Sequence, residues 1–221
     1  MPGYLVPASR FSTESWVKKS HFIATIGPAF SVVEAREFIS EINRNYMDAT
    51  HNVPAYVIGS GSSVTAHSSD NGEPSGTAGK PALSVLMGSG LGDAVLVITR
   101  YFGGTKLGTG GLVKAYSSAA RDAVDGVLKA KKISVHQASV TCPYNIYERL
   151  LRLIKLHEGM HIKESYSELV RIDFSLPVDH ALTLQSAVSD LSNGQLSIII
   201  QKENRVALKP VNTAEDKSSN A

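Results

Sequence analysis

Apolar residues along this chain recur with two periods, two and between three and four, and the switches between them mark out its elements. Val17–Ile26 alternates as a strand would, with Phe22, Ala24 and Ile26 on one face and His21, Ile23 and Thr25 on the other. Gly27-Pro28 ends it. Ser31 followed by Glu34 has the spacing of a capping box, in which each side chain satisfies a free N–H of the first helical turn. The helix it opens carries Ala35, Phe38, Ile39, Ile42 and Tyr46 on one stripe. Val53–Gly59 reads as a second strand, with Pro54 near its start, where a missing N–H costs least. Ser60–Lys80 shows neither period. Its beginning reads as a flexible linker, Asp70-Asn71-Gly72 as a turn, and Glu73–Thr77 as the approach to a short helix. Pro81 suits that helix's first turn, with Leu83, Val85 and Leu86 facing inward. Residues 1–15 read as a flexible lead-in.

The stretch Asp93–Ala123 is the most informative. A β-branched apolar run, Ala94–Ile98, leads into a loop with glycines at 103, 104, 108, 110 and 111, and a helical pattern follows at once. That helix is expected to bury Leu112, Val113, Tyr116, Ala119, Ala120, Ala123, Val124 and Val127 and to show Lys114, Ser118, Arg121 and Asp125 to solvent. Gly126 and the basic run Lys129–Lys132 mark its exit and a domain boundary, giving a first domain over 16–130.

The remainder is regular. Ser134–Cys142 is a strand, Pro143 opens a helix carrying Tyr147, Leu150, Leu151 and Ile154, and His161–Tyr166 is a strand. Val170, Ile172, Phe174 and Leu176 alternate with polar residues as a half-buried antiparallel strand. Residues 178–191 form a helix and Leu196–Gln201 a last strand. The order β-α-β-β-α-β is that of a ferredoxin-like unit, placed at 133–205. Residues 206–221 are expected to be a disordered tail. The first domain is expected to be a two-layer α+β arrangement.

Composition narrows the class. The 221 residues carry a net charge of +2, which excludes a generally basic nucleic-acid coat but allows a local basic patch. One cysteine, Cys142, excludes an internal disulfide and a cysteine-cluster zinc site, and its place in an apolar strand makes it a buried thiol. No run approaches the roughly 20 apolar residues of a membrane helix, and the N-terminus lacks signal-peptide features, so no membrane partner and a cytoplasmic location are expected.

Strand, glycine loop and helix N-terminus in succession is how backbone N–H groups are gathered around an anion. From Arg100 to Arg121 the charged residues are Arg100, Lys106, Lys114 and Arg121, with no acid among them. The loop fits neither the Walker pattern nor the dinucleotide fingerprint, because no Gly-Lys-Ser/Thr falls in place and Val113 stands where a third glycine would be needed. Two readings stay open. Gly103, Gly104, Gly108, Gly110 and Gly111 bind phosphate with Arg100, Lys106 and Lys114, or they serve tight turns and close packing. His67, Asp70 and Glu73 have the atoms for a divalent metal or for proton transfer, but their spacing matches no metal template. His51, before a strand, is a polar rim residue on its own. Cys142 and the serines have no partner pattern that makes them nucleophiles.

Two long motifs, S-S-D-N-G-E-P-S-G-T-A-G-K-P (68–81) and V-I-T-R-Y-F-G-G-T-K-L-G-T-G-G-L-V-K-A-Y-S (97–117), with K-K-S-H-F-I-A and D-A-T-H, resemble the signature of the IMPACT/YigZ family. The likeness spans about residues 15–203 and the C-terminal unit is similar to the extra domain of the bacterial YigZ branch. It implies a first domain folded like the second domain of small-ribosomal-subunit protein five, and a ferredoxin-like second domain. It also implies contact with RNA or the ribosome and a role in translation control, with no cofactor, no metal and no established catalysis. The family's pattern has histidine at Asn52, an aromatic at Pro54 and aspartate at Asn71, so this chain departs from it there. On this reading His51, Asp70, Glu73, Thr77 and Tyr101 shape a cleft beside the phosphate-binding loop, in a monomer. Two alternatives remain: an enzyme acting on a small phosphorylated or anionic metabolite, with Mg²⁺ on Asp70 and Glu73, and a protein-interaction scaffold.

Overall fold

Ala94-Val95-Leu96-Val97-Ile98 is apolar in both phases of the strand period, so a strand built from it needs cover on both faces. The computed structural model of the chain supplies that cover. It describes residues 3–61 and 63–211, which divide into two compact units, Tyr4–Lys131 and Lys132–Lys209.

The first unit contains β1 (Tyr4–Pro7), β2 (Phe11–Val17), β3 (Ser20–Pro28), α1 (Val32–Asn45), β4 (His51–Ser60), β5 (Ser63–Ser68), α2 (Gly79–Gly88), β6 (Ala94–Tyr101) and α3 (Thr109–Gly126). β2 to β6 form one antiparallel sheet in the order β2-β3-β6-β4-β5. Ala94, Leu96 and Ile98 of the central β6 join Phe22, Ala24 and Ile26 of β3 and Val53, Ala55 and Val57 of β4 against α2 and α3. Val95 and Val97 face the other way, with Tyr56, and pack on Ala35, Phe38 and Ile42 of α1. The unit is α+β, but with a helical layer on each face it has three layers, not the two expected. Two-layer patterning would have left Val95 and Val97 in water.

Ser31 caps α1 as its sequence requires, its Oγ accepting from Glu34 N at 3.1 Å. Glu34 reaches back one residue further than a capping box specifies: its Oε2 accepts from Phe30 N at 2.9 Å.

Two stretches are more ordered than their composition suggests. Within the expected lead-in, residues 4–7 and 11–17 are strands. β2 pairs with β3 through a two-residue turn, Lys18-Lys19. Tyr4 is anchored by its hydroxyl, which donates to Asp93 Oδ2 at 2.5 Å, and Gly92 N donates to Leu5 O at 2.9 Å. The expected linker after Ser60 is β5, an exposed edge strand on β4. It reads as linker because an edge strand facing solvent has no apolar period. Gly59, paired with Val64 just before the turn, needs its freedom: its φ is +87°, and a Cβ there would lie 2.3 Å from Ser63 O.

The second unit comprises β7 (Lys129–Cys142), α4 (Tyr144–Leu156), β8 (Met160–Tyr166), β9 (Val170–Pro177), α5 (Ala181–Leu191) and β10 (Ile199–Pro210). β8, β9 and β7 are neighbours in that order, and β10 also pairs with β7. Leu150 and Ile154 of α4 and Leu184 and Val188 of α5 pack on Val140, Ile172, Phe174 and Leu176. Cys142 is fully buried and free, and burial pushes its thiol pKa up. β10 begins later than Leu196 and continues to Pro210, so residues 206–210, expected in the tail, are strand. The rest of that expected tail, 212–221, lies outside the described residues.

Asp93 is 1% exposed and also accepts from Gly59 N at 2.8 Å, so it ties β1 to the β4–β5 turn. Removing the Tyr4 hydroxyl leaves that carboxylate one donor short. Tyr4→Phe is expected to lower stability by about 1–3 kcal/mol, measured by urea unfolding.

Candidate functional site

The two motif loops, 68–81 and 102–111, lie at one end of the first unit's sheet, and each is held by its own chemistry. In the first, Asp70 is the organiser. Its Oδ2 accepts from Gly76 N at 2.8 Å, and its Oδ1 from Ala78 N at 3.0 Å and Gly79 N at 2.8 Å. Burial pushes the Asp70 carboxyl up, but these three N–H donors and Lys80 outweigh it and leave the pKa below the ordinary value. Thr77 closes the same loop by donating from its hydroxyl to Pro74 O at 2.7 Å. Gly79 is demanded by contact, since a Cβ there would sit 2.7 Å from the Ser69 backbone.

This wrapping turns Glu73 inward. Its Oε1 accepts from Arg100 Nη1 at 2.5 Å and from the Tyr116 hydroxyl at 2.9 Å, and His51 Nε2 stands 3.8 Å away. Arg100 also donates to Ser20 Oγ at 3.2 Å, and its guanidinium lies 5.5 Å from the ring centres of both Phe22 and Phe102. Its Nε is buried with no hydrogen-bond partner among the described residues. Burial and the neighbouring Glu73 both raise the Tyr116 pKa, so that hydroxyl stays a neutral donor. His51 Nδ1 is hydrogen-bonded to Asn71 O at 2.7 Å, and Gly72, at φ +86°, lies against the imidazole. The Asn71 side chain donates to Asn52 O, and Asn52 accepts from the Thr99 hydroxyl at 2.6 Å. Asn52 and Asn71 are thus joined in one network.

The glycine loop is built differently. Gly103 packs so closely on the β2–β3 turn that a Cβ would lie 1.8 Å from Lys19 O. Gly104 (φ +80°) and Gly108 (φ +77°) use glycine's backbone freedom. Added Cβ atoms at 104, 108 and 110 would meet nothing within 4 Å, whereas Gly111 packs on Leu107. Gly108 is the N-cap of α3, so no side chain caps the helix, and its first turn holds no acid. No side-chain cap closes the N-terminus of this 18-residue helix, and Lys106, Thr109, Gly110 and Lys114 around its start are exposed. Lys18 and Lys19 are exposed on the turn that touches Gly103.

The residues expected to bind an anion thus separate into two groups. Gly104, Lys106, Gly108, Gly110 and Lys114 are exposed. Arg100, 5% exposed, is spent on Glu73. Arginine in this motif reads equally well as a ligand donor or as a strut, and only the position of Glu73 decides. His67, Asp70 and Glu73 do not converge. His67 leans on Tyr56 from β5, Asp70 binds its own loop, and Glu73 is internal. Among the described residues no cluster of three His, Cys, Asp or Glu side chains fits a metal ion. Tyr101 donates to Asp48 Oδ1 at 2.9 Å and stacks towards His21. Pattern reading missed Ser20, Lys18 and Lys19 as part of the site. The signal was present, two lysines between two strand-like runs, but it needed the Phe11–Val17 strand to be seen. A separate groove of about 750 Å³ runs between α2 and α3 and includes Lys80, Val85, Val113, Ser117 and Arg121.

Residues 18–124 match the family model of the Impact N-terminal domain, and residues 140–195 match a domain of unknown function, DUF1949. The chain is 33% identical over 204 residues to the IMPACT family member YigZ of Escherichia coli K12, covering 92% of this chain and 100% of that protein. It is 34% identical over 184 residues to the IMPACT family member YvyE of Bacillus subtilis, covering 82% and 83% respectively. A crystal structure of a hypothetical protein, 34% identical, covers 92% of this chain and is itself covered in full, with a TM-score of 0.61.

Glu73→Ala leaves Arg100 a buried, uncompensated charge and is expected to cost about 3–5 kcal/mol in urea unfolding. Asp70 generates a pH dependence. Its folded pKa is depressed, so its contribution is present above the unfolded value of about 3.9 and is lost as pH falls through the lower folded value. The stability gap between wild type and Asp70→Asn should therefore narrow on acidification below about pH 4. An unchanged gap there would remove Asp70 as the loop's organiser.

Proposed function

The chain belongs to the IMPACT family, and from that premise we propose that it is a cytoplasmic RNA- or ribosome-binding protein that acts in the regulation of translation. The observation that carries this reading is the open N-terminus of α3. That terminus has no side-chain cap and no acid in its first turn, glycines 104, 108 and 110 are uncrowded, and Lys106 and Lys114 are exposed, so partial and full positive charge are available there to a phosphate. Lys18 and Lys19 extend that charge along the neighbouring turn. The buried Glu73–Arg100 pair is the support beneath the loop and takes no ligand. On this reading the first unit is of the ribosomal-protein-five domain-two type. The pairings of β9 with β8 and β7 and of β10 with β7, with both helices on one core, fit a ferredoxin-like second unit.

One observation favours a second reading, an enzyme or binding protein for a small anionic metabolite: the groove between α2 and α3 carries Lys80 and Arg121. Asp70 accepts from its own loop and Glu73 Oε1 from Arg100 and Tyr116, which weighs against this pair holding Mg²⁺ for such a reaction. A large thermal shift with one phosphorylated metabolite, without ribosome co-sedimentation, would select this reading.

For the RNA reading, log affinity should fall linearly with log salt, with a slope of about −0.7 per phosphate contacted on a single strand. Lys106→Ala with Lys114→Ala should flatten that slope by one to two contacts, about 0.7 to 1.4, and should weaken ribosome co-sedimentation at graded salt. A salt slope unchanged in the double variant would overturn the site.

A further inference from the structure

Three rings from three neighbouring strands line up beside the glycine loop: Trp16 of β2, His21 of β3 and Tyr101 of β6. The register pairs Trp16 with His21 and His21 with Tyr101. The Trp16 and His21 rings are parallel, 4.1 Å apart with an interplanar angle of 7°, and His21 and Tyr101 follow at 6.0 Å and 22°. The inner two rings are tethered at their polar ends. His21 Nε2 is hydrogen-bonded to Glu14 Oε2 at 2.8 Å, and the Tyr101 hydroxyl donates to Asp48.

Trp16 differs from both. It is 68% exposed although one of its faces is covered by His21, so the opposite face of the indole looks into solvent. A tryptophan held flat by a second ring, at the end of an edge strand, gives the fold little of the burial that usually justifies the residue. It does give any flat ring arriving from solvent a rigid surface with its rotamer already fixed. Charge decides which ring that is. The chain leaves Trp16 through Val17 into Lys18-Lys19, and it leaves Tyr101 through Phe102 into Gly103, which rests on Lys19. An aromatic ligand stacked on Trp16 is therefore flanked by the same cations that border the α3 N-terminus. A ring attached to a phosphate chain matches both features.

We propose that Trp16, backed by His21 and Tyr101, is a stacking platform for an unpaired nucleobase, and that the RNA held at the glycine loop is single-stranded there. The inference rests on the reading of that loop as a phosphate site and adds the form of the nucleic acid. Bases within a duplex are stacked on one another and cannot reach the indole, whereas bases in a single strand present a π-face whatever their identity. Binding is accordingly tolerant of sequence and selective for strandedness.

Trp16 is the sole tryptophan of the chain, so intrinsic fluorescence reports on this one ring. The full chain would be titrated with single-stranded octamers of uridine and of adenosine and with a blunt duplex of the same length. Both single strands should quench the emission and the duplex should not. Trp16→Ala should weaken single-strand binding by about 5- to 140-fold, the ordinary range for one stacked base. It should leave the salt slope and the urea midpoint unchanged, and Trp16→Phe should restore most of the affinity. Salt-dependent binding with unquenched emission, quenching by the duplex as strong as by the single strands, or wild-type affinity in Trp16→Ala would each overturn the platform while leaving the phosphate site standing. Absence of salt-dependent binding to any RNA would overturn both.

Discussion

One carboxylate oxygen, Glu73 Oε1, holds the end of the first unit together. It takes donors from β6 through Arg100 and from α3 through Tyr116, and it belongs to the 68–81 loop. Ser20 then links Arg100 to β3 and to Gly103 of the glycine loop, whose N–H donates to the same hydroxyl at 3.4 Å. A buried ion pair of this kind adds little net stability over an apolar packing of the same shape, but it is costly to break. What it provides is position. Two loops far apart in the chain are fixed to one another because each must satisfy part of the same charge pair. Ser20 and Tyr116 supply further partners to the pair, while Arg100 Nε stays buried with none among the described residues.

Fixing the loops from below leaves their outer surface free. Because Glu73 neutralises Arg100 inside, the exposed positive charge at this corner comes from lysines, Lys18, Lys19, Lys106 and Lys114, together with the α3 N-terminus. The two acids at the aromatic row are both engaged by its rings, Glu14 hydrogen-bonded to His21 and Asp48 accepting from the Tyr101 hydroxyl. Net charge over the whole chain is only +2, so the positive charge of this corner is a local imbalance, not a global one. The aromatic row and the basic rim share the β2–β3 turn, and a ligand that uses one is brought within reach of the other.

Much of this was legible in the sequence. The faces of β3 and β9, the stripe of α1 and its Ser31 cap follow from side-chain period and capping chemistry, which are local. The helix after the glycine loop was legible too, although it starts at Thr109 and takes Gly110 and Gly111 into its first turn. The two edge strands of the first sheet, β2 and β5, were not legible. An edge strand with one or both faces in water needs no apolar alternation, and Ser63–Ser68 has none. Nor was the third layer, whose only trace was the unbroken apolar run of β6.

The sequence by itself determined which residue types stand where: the glycine loop, the basic set without acids, the carboxylates of the 68–81 motif and the single tryptophan. Tertiary structure alone decided which of these charges are spent. Arg100 and Lys106 look equivalent on the chain, yet one is neutralised inside and the other faces solvent. The same holds for Asp70 and Glu73, two motif carboxylates that became a loop organiser and a buried counter-ion. A side chain's type is local information, but its partner is set by long-range pairing across the sheet, and for a charged group the partner determines whether anything is left for a ligand.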